Sequence, residues 1–349
     1  MTINNIYYNG LYTNIQQGSQ PALFSTTFSQ PLVNKANDYE MSIIKFSLPG
    51  NNIPLFIFQP NTYQVSISYD LNFYTEYVNF IPTNTFPSSD PRYYYCWSYN
   101  LFIEMINIAI FNVWTTFKTD NPSVTSNYAP YLIYDAPTEL ITLYSESAVF
   151  GESISNGCQL FFNSVLFNFF QSFPYIYYPI GIFSESPDPN KEWNQIWIQS
   201  NGENKITSLS PPTYLTYGST PSNIAGYSTI QEYACLWAWN VAQSIVITSS
   251  TLPTRAESLP SQGSNKGYPN LKSIITDYTL AVSSGPDIRS RITYLPTAEY
   301  RWCDLLSSNP IAQLDFQIYW LDNLQNFYPL YVNTNDSVNI KFLFRKKST

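Results

Sequence analysis

The sequence predicts an all-β protein of the β-sandwich class, and three observations carry that prediction. Segments such as "YEMSIIKFSL" (39–48), "TYQVSISYDL" (62–71), "EYVNFI" (76–81) and "AQSIVITSS" (242–250) are rich in β-branched and aromatic residues and are bounded by Pro, Asn, Gly and Ser. Tyr63, Val65, Ile67 and Tyr69 alternate with polar residues, the period of a half-buried strand. Helical spacing is scarce, so alternating βαβ units are not indicated.

Further strands are expected at 131–134, 140–144, 177–183, 194–199, 271–280, 288–294, 313–320 and 337–344. In the closing stretch, Leu314, Phe316, Ile318 and Trp320 share one face of a strand. Val338, Ile340, Phe342 and Phe344 share the inward face of the last one. Helices are expected at two places. In 100–117, Leu101, Met105, Ile108 and Val113 form a broad apolar face while Glu104, Asn107 and Asn112 lie elsewhere, and 162–170 offers a shorter helix. Those three polar residues also argue against a membrane span there.

Two stretches punctuate the chain. Residues 208–227 and 261–270 are rich in Pro, Gly and Ser and read as loops, the first a subdivision point between unequal halves. Residues 1–38 are polar and weakly patterned and are expected as an extended arm preceding a domain at 39–349. The amino terminus has no basic region followed by an apolar run, so no signal peptide is expected.

Composition narrows the function. Apolar residues make up 44% of the 349, enough for a sizeable core, but only 11% are charged and 17% are aromatic. Much of the surface must then be Asn, Gln, Ser, Thr and Tyr, which suits packing against other protein. A net charge of −8 argues against a nucleic-acid-binding body, leaving Arg345, Lys346 and Lys347 as a local basic run. There is no histidine, which removes the commonest general base and the imidazole metal ligand. The widely spaced Cys96, Cys158, Cys235 and Cys303 form no CxxC pair and read as reduced packing residues.

The remaining chemistry is thin. Asp135 and Glu139 in "DAPTE" have the residue types of a glycosidase acid and base, but their place between two strands reads as a turn. Asp188, Asn190 and Glu192 echo a calcium loop without its glycine or distal glutamate. No phosphate-cradling glycine motif occurs. The rings of "PRYYYCWSYN" (91–100) are expected in a core, at a helix start or in an interface. Trp193, Trp197 and Tyr217 are the candidates for a sugar-stacking surface, should the sandwich be a carbohydrate-binding module. No catalytic residue, cofactor or metal site is expected.

Several phrases, in order, resemble one family. "NDYEMSIIKFSLPGNNIPLF" (37–56), "YYYCWSYNLFIEMINIAIFNVW" (93–114), "APYLIYDAPTELITLY" (129–144), "SIVITSSTLPTRAES" (244–258), "IITDYTL" (274–280) and the closing hairpin are similar to penton or minor capsid proteins of polinton-like viruses, virophages and adintovirus-like elements. The resemblance implies a jelly-roll β-sandwich, either one jelly roll with insertions or two side by side, with one or two short helices. It implies a structural subunit of an icosahedral double-stranded DNA virus, assembled with itself and with neighbouring capsid proteins at a vertex. A homopentamer is expected, with the trimer of a double jelly-roll major capsid protein as the alternative. Under the resemblance, the 1–38 arm tethers neighbouring capsomers. The basic run 345–347 then contacts genome or acidic shell, or is simply a frayed, solubilising end; its residues leave both open.

Overall fold

The structure, a computed structural model, describes residues 5–70, 72–152, 154, 157–181, 190–200, 202–218, 223–235, 239–259, 270–280, 291–295 and 301–347. The chain divides into two compact units, residues 1–54 with 241–349, and residues 55–240.

The first unit is an eight-stranded jelly roll. Its strands are β1 (Asn5–Thr13), β2 (Leu23–Thr27), β3 (Tyr39–Pro49), β4 (Ser244–Thr248), β5 (Ile274–Thr279), β6 (Arg291–Tyr294), β7 (Gln313–Leu321) and β8 (Ser337–Lys346). One sheet has the order β1-β8-β3-β6 and the other β2-β7-β4-β5, with every pair antiparallel. Consecutive strands alternate between the sheets except β4 and β5, which are neighbours in one sheet. That is the double Greek key of a jelly roll. Short pieces extend the edges: Phe327–Pro329 continues beside β7 next to β2, and Cys303–Asp304 beside β3 next to β6.

Period-2 patterning selects the inner faces. Leu314, Phe316, Ile318 and Trp320 of β7 are buried, as are Val338, Ile340, Phe342 and Phe344 of β8. The strand β3 departs from simple alternation. Continued alternation from Met41 and Ile43 would turn Lys45 and Ser47 inward, yet Phe46 and Leu48 are the buried residues and Lys45 is exposed. Pairing with β8 slips at this point, from Lys341 opposite Lys45 to Phe342 opposite Ile43. Ile44 is the extra residue of a bulge that returns apolar side chains to the core and turns the lysine out.

The expected arm is a correction. Asn5–Thr13 pairs along nine residues with β8, and Leu23–Thr27 pairs with β7. Beyond them, Phe28, Leu32, Ala36 and Asn37 donate backbone hydrogen bonds to the carbonyls of Ala312, Ile311, Asn309 and Ser307. Strands with many Asn and Thr on their outer faces look weakly patterned, although Tyr8, Gly10 and Tyr12 face inward toward Phe342, Ile340 and Val338. The expected subdivision at 208–227 is a second correction. The divisions fall at 54/55 and 240/241, so residues 55–240 form one contiguous insertion in the β3–β4 connection. Residues 208–227 belong wholly to that insertion, where Leu209 and Leu215 pack on Tyr128 and Tyr131.

The inserted unit layers a sheet, a helix and a second sheet. Tyr175–Tyr178, Trp193–Ile196, Gln159–Asn163, Gln64–Tyr69 and Asn72–Tyr77 form one sheet in that order. Lys205–Ile206, Gly226–Ile230, Leu140–Glu146 and Tyr131–Asp135 form the other. The helix α1 (Tyr99–Asp120) packs on Gln64–Tyr69 and Asn72–Tyr77 and also on Tyr131–Asp135. It is long and apolar enough to cross a membrane by composition, but Phe102, Ile103, Met105, Ile106, Ala109, Ile110, Val113 and Phe117 are buried inside this unit. The second expected helix is Ser164–Phe167 followed by a 3-10 turn at Asn168–Phe170. Asn163 caps it through a hydrogen bond accepted from the Leu166 amide. The strand expected at 76–81 lies instead at Asn72–Tyr77, because Asp70 in a left-handed turn reverses the chain early enough to pair it with Gln64–Tyr69.

Candidate functional site

The carboxylates show how little of this chain is free for chemistry. Asp135 and Glu139 end up at the two ends of a tight turn between paired strands, with Glu139 at φ 59° and the Asp135 carboxylate accepting from the Thr138 hydroxyl. They bracket a bend, Asp135 exposed and Glu139 partly so. Of the calcium-like loop, Asp188 lies outside the described residues. Among the described residues no cluster of three or more Cys, Asp or Glu could hold a metal ion.

The carboxylates that do converge on partners were not singled out by sequence reasoning. Glu146 is buried and accepts from the Asn127 and Tyr128 amides, at 2.6 and 3.1 Å, and from the Asn127 side chain at 3.0 Å. Asp315 on β7 is wrapped by the 249–251 turn. The Ser249, Ser250 and Thr251 hydroxyls and the Ser250 and Thr251 amides all donate to it, at 2.5–3.1 Å. Partial burial opposes its ionisation, but the hydroxyl and amide donors outweigh that and hold its carboxyl well below the usual range. Asp322 likewise organises the turn after β7 by accepting from the Leu324 and Asn326 amides. Burial, with this carboxylate beside it, pushes the Tyr328 hydroxyl up to about 12. Each carboxylate fixes a loop or turn, and Asp322 also accepts from the Tyr328 hydroxyl at 3.2 Å. A cluster of Ser and Thr such as "TSST" (248–251) opposite a lone strand Asp is a weak signal that only the tertiary pairing makes readable.

The aromatic residues sort in the same way. Tyr95 is buried, and Tyr99 at the start of α1 meets Tyr134 and Trp239 at 5.0 and 5.2 Å. Of the sugar-stacking candidates, Trp193 is 3% exposed, and Tyr217 packs edge-on against Phe111, Trp114 and Tyr128. Only Trp197, 40% exposed, presents a surface ring, and its indole donates to Glu152 beside a cavity of about 500 Å³. The four cysteines are free, three of them buried; burial pushes the Cys96 and Cys158 thiols up to about 12.

The basic run at the end of β8 is held in place. Arg345 pairs with Glu40 at 2.6 Å across the β8–β3 pairing, and its guanidinium lies 3.9 Å from the Trp302 ring centre. Lys346 is the last residue of β8, and Lys347 pairs with Asp304 at 2.9 Å while its amide donates to the Asp38 carbonyl. Arg345 and Lys347 are thereby tied to the strand β3 and its neighbours. Both engaged cations neutralise carboxylates of their own sheet.

An eight-stranded jelly roll, with the carboxylates described above committed to loops, is an architecture found in viral capsid proteins. The family model described as Sputnik minor capsid protein V18/19 matches residues 1–346, so the chain belongs to that family and is a minor capsid protein, a structural component of the virion. The curated "Structural protein V19" of Sputnik virophage is 28% identical over 216 residues, 62% of this chain and 93% of that protein. The "Uncharacterized protein V18" of the same virophage is 34% identical over 134 residues, 31% of this chain and 80% of that protein. A chain in the cryo-EM structure of the Sputnik virophage is similar at TM-score 0.81 and 29% identity, covering 99% of this chain and 98% of that one. The mavirus penton protein shares the fold at TM-score 0.70 and 17% identity, covering 98% and 99% respectively.

Proposed function

We propose that this minor capsid protein forms the vertex capsomers of an icosahedral shell as a homopentamer, in contact with neighbouring capsid proteins. The observation that carries the reading is the nesting of the units: one jelly roll is complete in residues 1–54 and 241–349, and residues 55–240 are inserted within it. A double jelly-roll trimer subunit places two such sandwiches one after the other, a connectivity this chain does not have. Likeness to the mavirus penton protein in fold agrees with a single-jelly-roll capsomer.

A shell subunit works by rigidity and surface fit, with no bond-making step. The inserted unit offers exposed Tyr175, Ile176 and Tyr177 on the edge strand of its sheet, residue types favoured at protein interfaces. In the 345–347 run, Arg345 and Lys347 are engaged within the subunit, which leaves the exposed Lys346 as the cation available to a shell neighbour. Light scattering coupled to size-exclusion chromatography tests the assembly. Five 40.1 kDa chains give about 200 kDa, a trimer would support the major-capsid arrangement, and a strict monomer that never enters particles would refute both.

A further inference from the structure

The net charge of −8 is not spread over the protein. Residues 55–240 carry 4 Lys and Arg against 14 Asp and Glu, whereas residues 1–54 and 241–349 carry 12 against 10. In the acidic insertion, the half-exposed Trp197 follows directly on the strand Trp193–Ile196 and lines two cavities, of about 500 and about 430 Å³.

The ring is held in place. Its indole N–H donates to the Glu152 carboxylate at 2.7 Å, while the Glu152 amide donates to the Ile198 carbonyl at 3.1 Å. Gly151 delivers Glu152 to this position at φ 137°, where a Cβ would come within 3.0 Å of the Tyr227 ring, so the approach requires glycine. With the N–H committed, what the indole offers a ligand is its apolar ring. In the larger cavity, the Gln195 oxygen accepts from the Tyr178 hydroxyl at 2.8 Å and the Gln159 oxygen from the Ser68 hydroxyl at 3.4 Å. The amide N–H groups of both glutamines then have no partner among the described residues and are free to donate. Asp70 on the same wall supplies acceptors. The smaller cavity repeats the chemistry with Gln171, Gln199, Glu232 and the exposed ring of Tyr233. Among the described residues lining either cavity there is no Lys or Arg.

We propose that Trp197 and the recesses on either side of it bind a neutral oligosaccharide. The C–H-rich face of a sugar ring is apolar and meets the electron-rich face of an indole favourably. Each sugar hydroxyl both donates and accepts, which matches free amide N–H groups beside carboxylate oxygens. The excess of carboxylates repels phosphorylated, sulfated and sialylated ligands, and no lining cation compensates. A protein pressed flat against Trp197 would bridge the recesses and leave their polar groups buried without partners, whereas a hydroxyl-rich chain reaches into both. The inference goes beyond shell building, and because all these residues lie within the insertion it holds whatever the number of chains that assemble.

The test immobilises the full-length protein for surface plasmon resonance. Neutral gluco-, manno-, galacto- and N-acetylglucosamine oligosaccharides, with sialylated and sulfated counterparts, are passed over it at up to about 1 mM, where even a weak site responds. Wild type is expected to bind at least one neutral glycan, with affinity changing less than about twofold as salt is raised from about 50 to about 500 mM. Trp197→Ala is expected to bind that glycan on the order of tenfold more weakly, with Trp197→Phe between the two. Tyr7→Ala, which removes an exposed ring of the jelly roll, should match wild type. Circular dichroism checks that each variant is folded. No response to any neutral glycan, wild-type affinity in folded Trp197→Ala, or a preference for the sialylated or sulfated forms overturns the proposal. Light scattering on the same samples keeps it distinct from the pentamer reading. A monomeric wild type that binds a neutral glycan upholds the sugar site. A Trp197→Ala variant that loses self-association, with a wild type that binds no sugar, overturns it in favour of a contact between copies.

Discussion

Phe316 and Phe342 stack across the interior of the jelly roll, ring centres 4.5 Å apart and planes 18° from parallel, one from each sheet. Both side chains are fully buried, so this pair joins the two layers at the centre of the sandwich. Phe342→Ala is expected to cost about 3–5 kcal/mol, transfer and cavity together. A double-mutant cycle with Phe316→Ala should show a coupling of about 1 kcal/mol. Urea denaturation of the four proteins measures both.

Asp315 makes the jelly roll sensitive to acid. Its folded-state carboxyl titrates below its unfolded value, so the stability it contributes is present above the unfolded value near pH 4 and is lost as pH falls through the folded one. Asp315→Asn is expected to lower stability by about 1–2 kcal/mol at pH 7. The gap between variant and wild type should narrow at pH 3. Urea midpoints at the two pH values check the sign; a gap that widens on acidification refutes it.

Asn107 ties α1 to the sheet beside it. Its side-chain amide donates to the Leu132 carbonyl at 2.9 Å and its oxygen accepts from the Leu132 amide at 2.7 Å, in a fully buried position. Asn107→Leu would remove both partners from buried backbone groups and is expected to cost about 2–4 kcal/mol despite the added apolar surface. Thermal unfolding of the variant reports it.

The two neighbouring tryptophans should respond differently. Trp193→Ala is expected to destabilise the insertion by about 3–5 kcal/mol, whereas the half-exposed Trp197→Ala should cost about 1 kcal/mol or less. A glycan array on Trp197→Ala, not on Trp193→Ala, is thus the informative trial of sugar binding. Retained fold with abolished glycan binding would establish that activity.

The Cys96 and Cys158 thiols should be inert in the folded protein. Burial holds both up at about 12, so at pH 8 they are neutral and shielded. A thiol-reactive chromogen should label them only after denaturant is added.

Much of the jelly roll was legible in the sequence because one physical rule governs it. A strand with one buried face alternates, so Leu314 to Trp320 and Val338 to Phe344 declared both their conformation and their inward sides. Where alternation broke, the reading lost its grip. At β3 the bulge at Ile44 changes the phase, and in β1 inward-facing Tyr8, Gly10 and Tyr12 were masked by exposed Asn and Thr. The carboxylates told a similar story. Asp135 and Glu139 were readable as turn residues from their immediate neighbours, whereas the partners of Asp315 lie 64 to 66 residues away along the chain.

By itself, then, the sequence determined the all-β class, the long buried helix, the inward faces of the closing strands and the capsid family, all of which are written in local periodicity or in the order of phrases. Only the tertiary structure decided that residues 55–240 are an insertion, that the first strand is part of the sheet, and that Trp197 and Glu152 meet beside two recesses of an acidic unit. The reason is physical. Proline and glycine mark where a chain turns, but which strands then pair is set by contacts between residues hundreds of positions apart, and charge acts through its placement on a surface, which a sum along the chain cannot express.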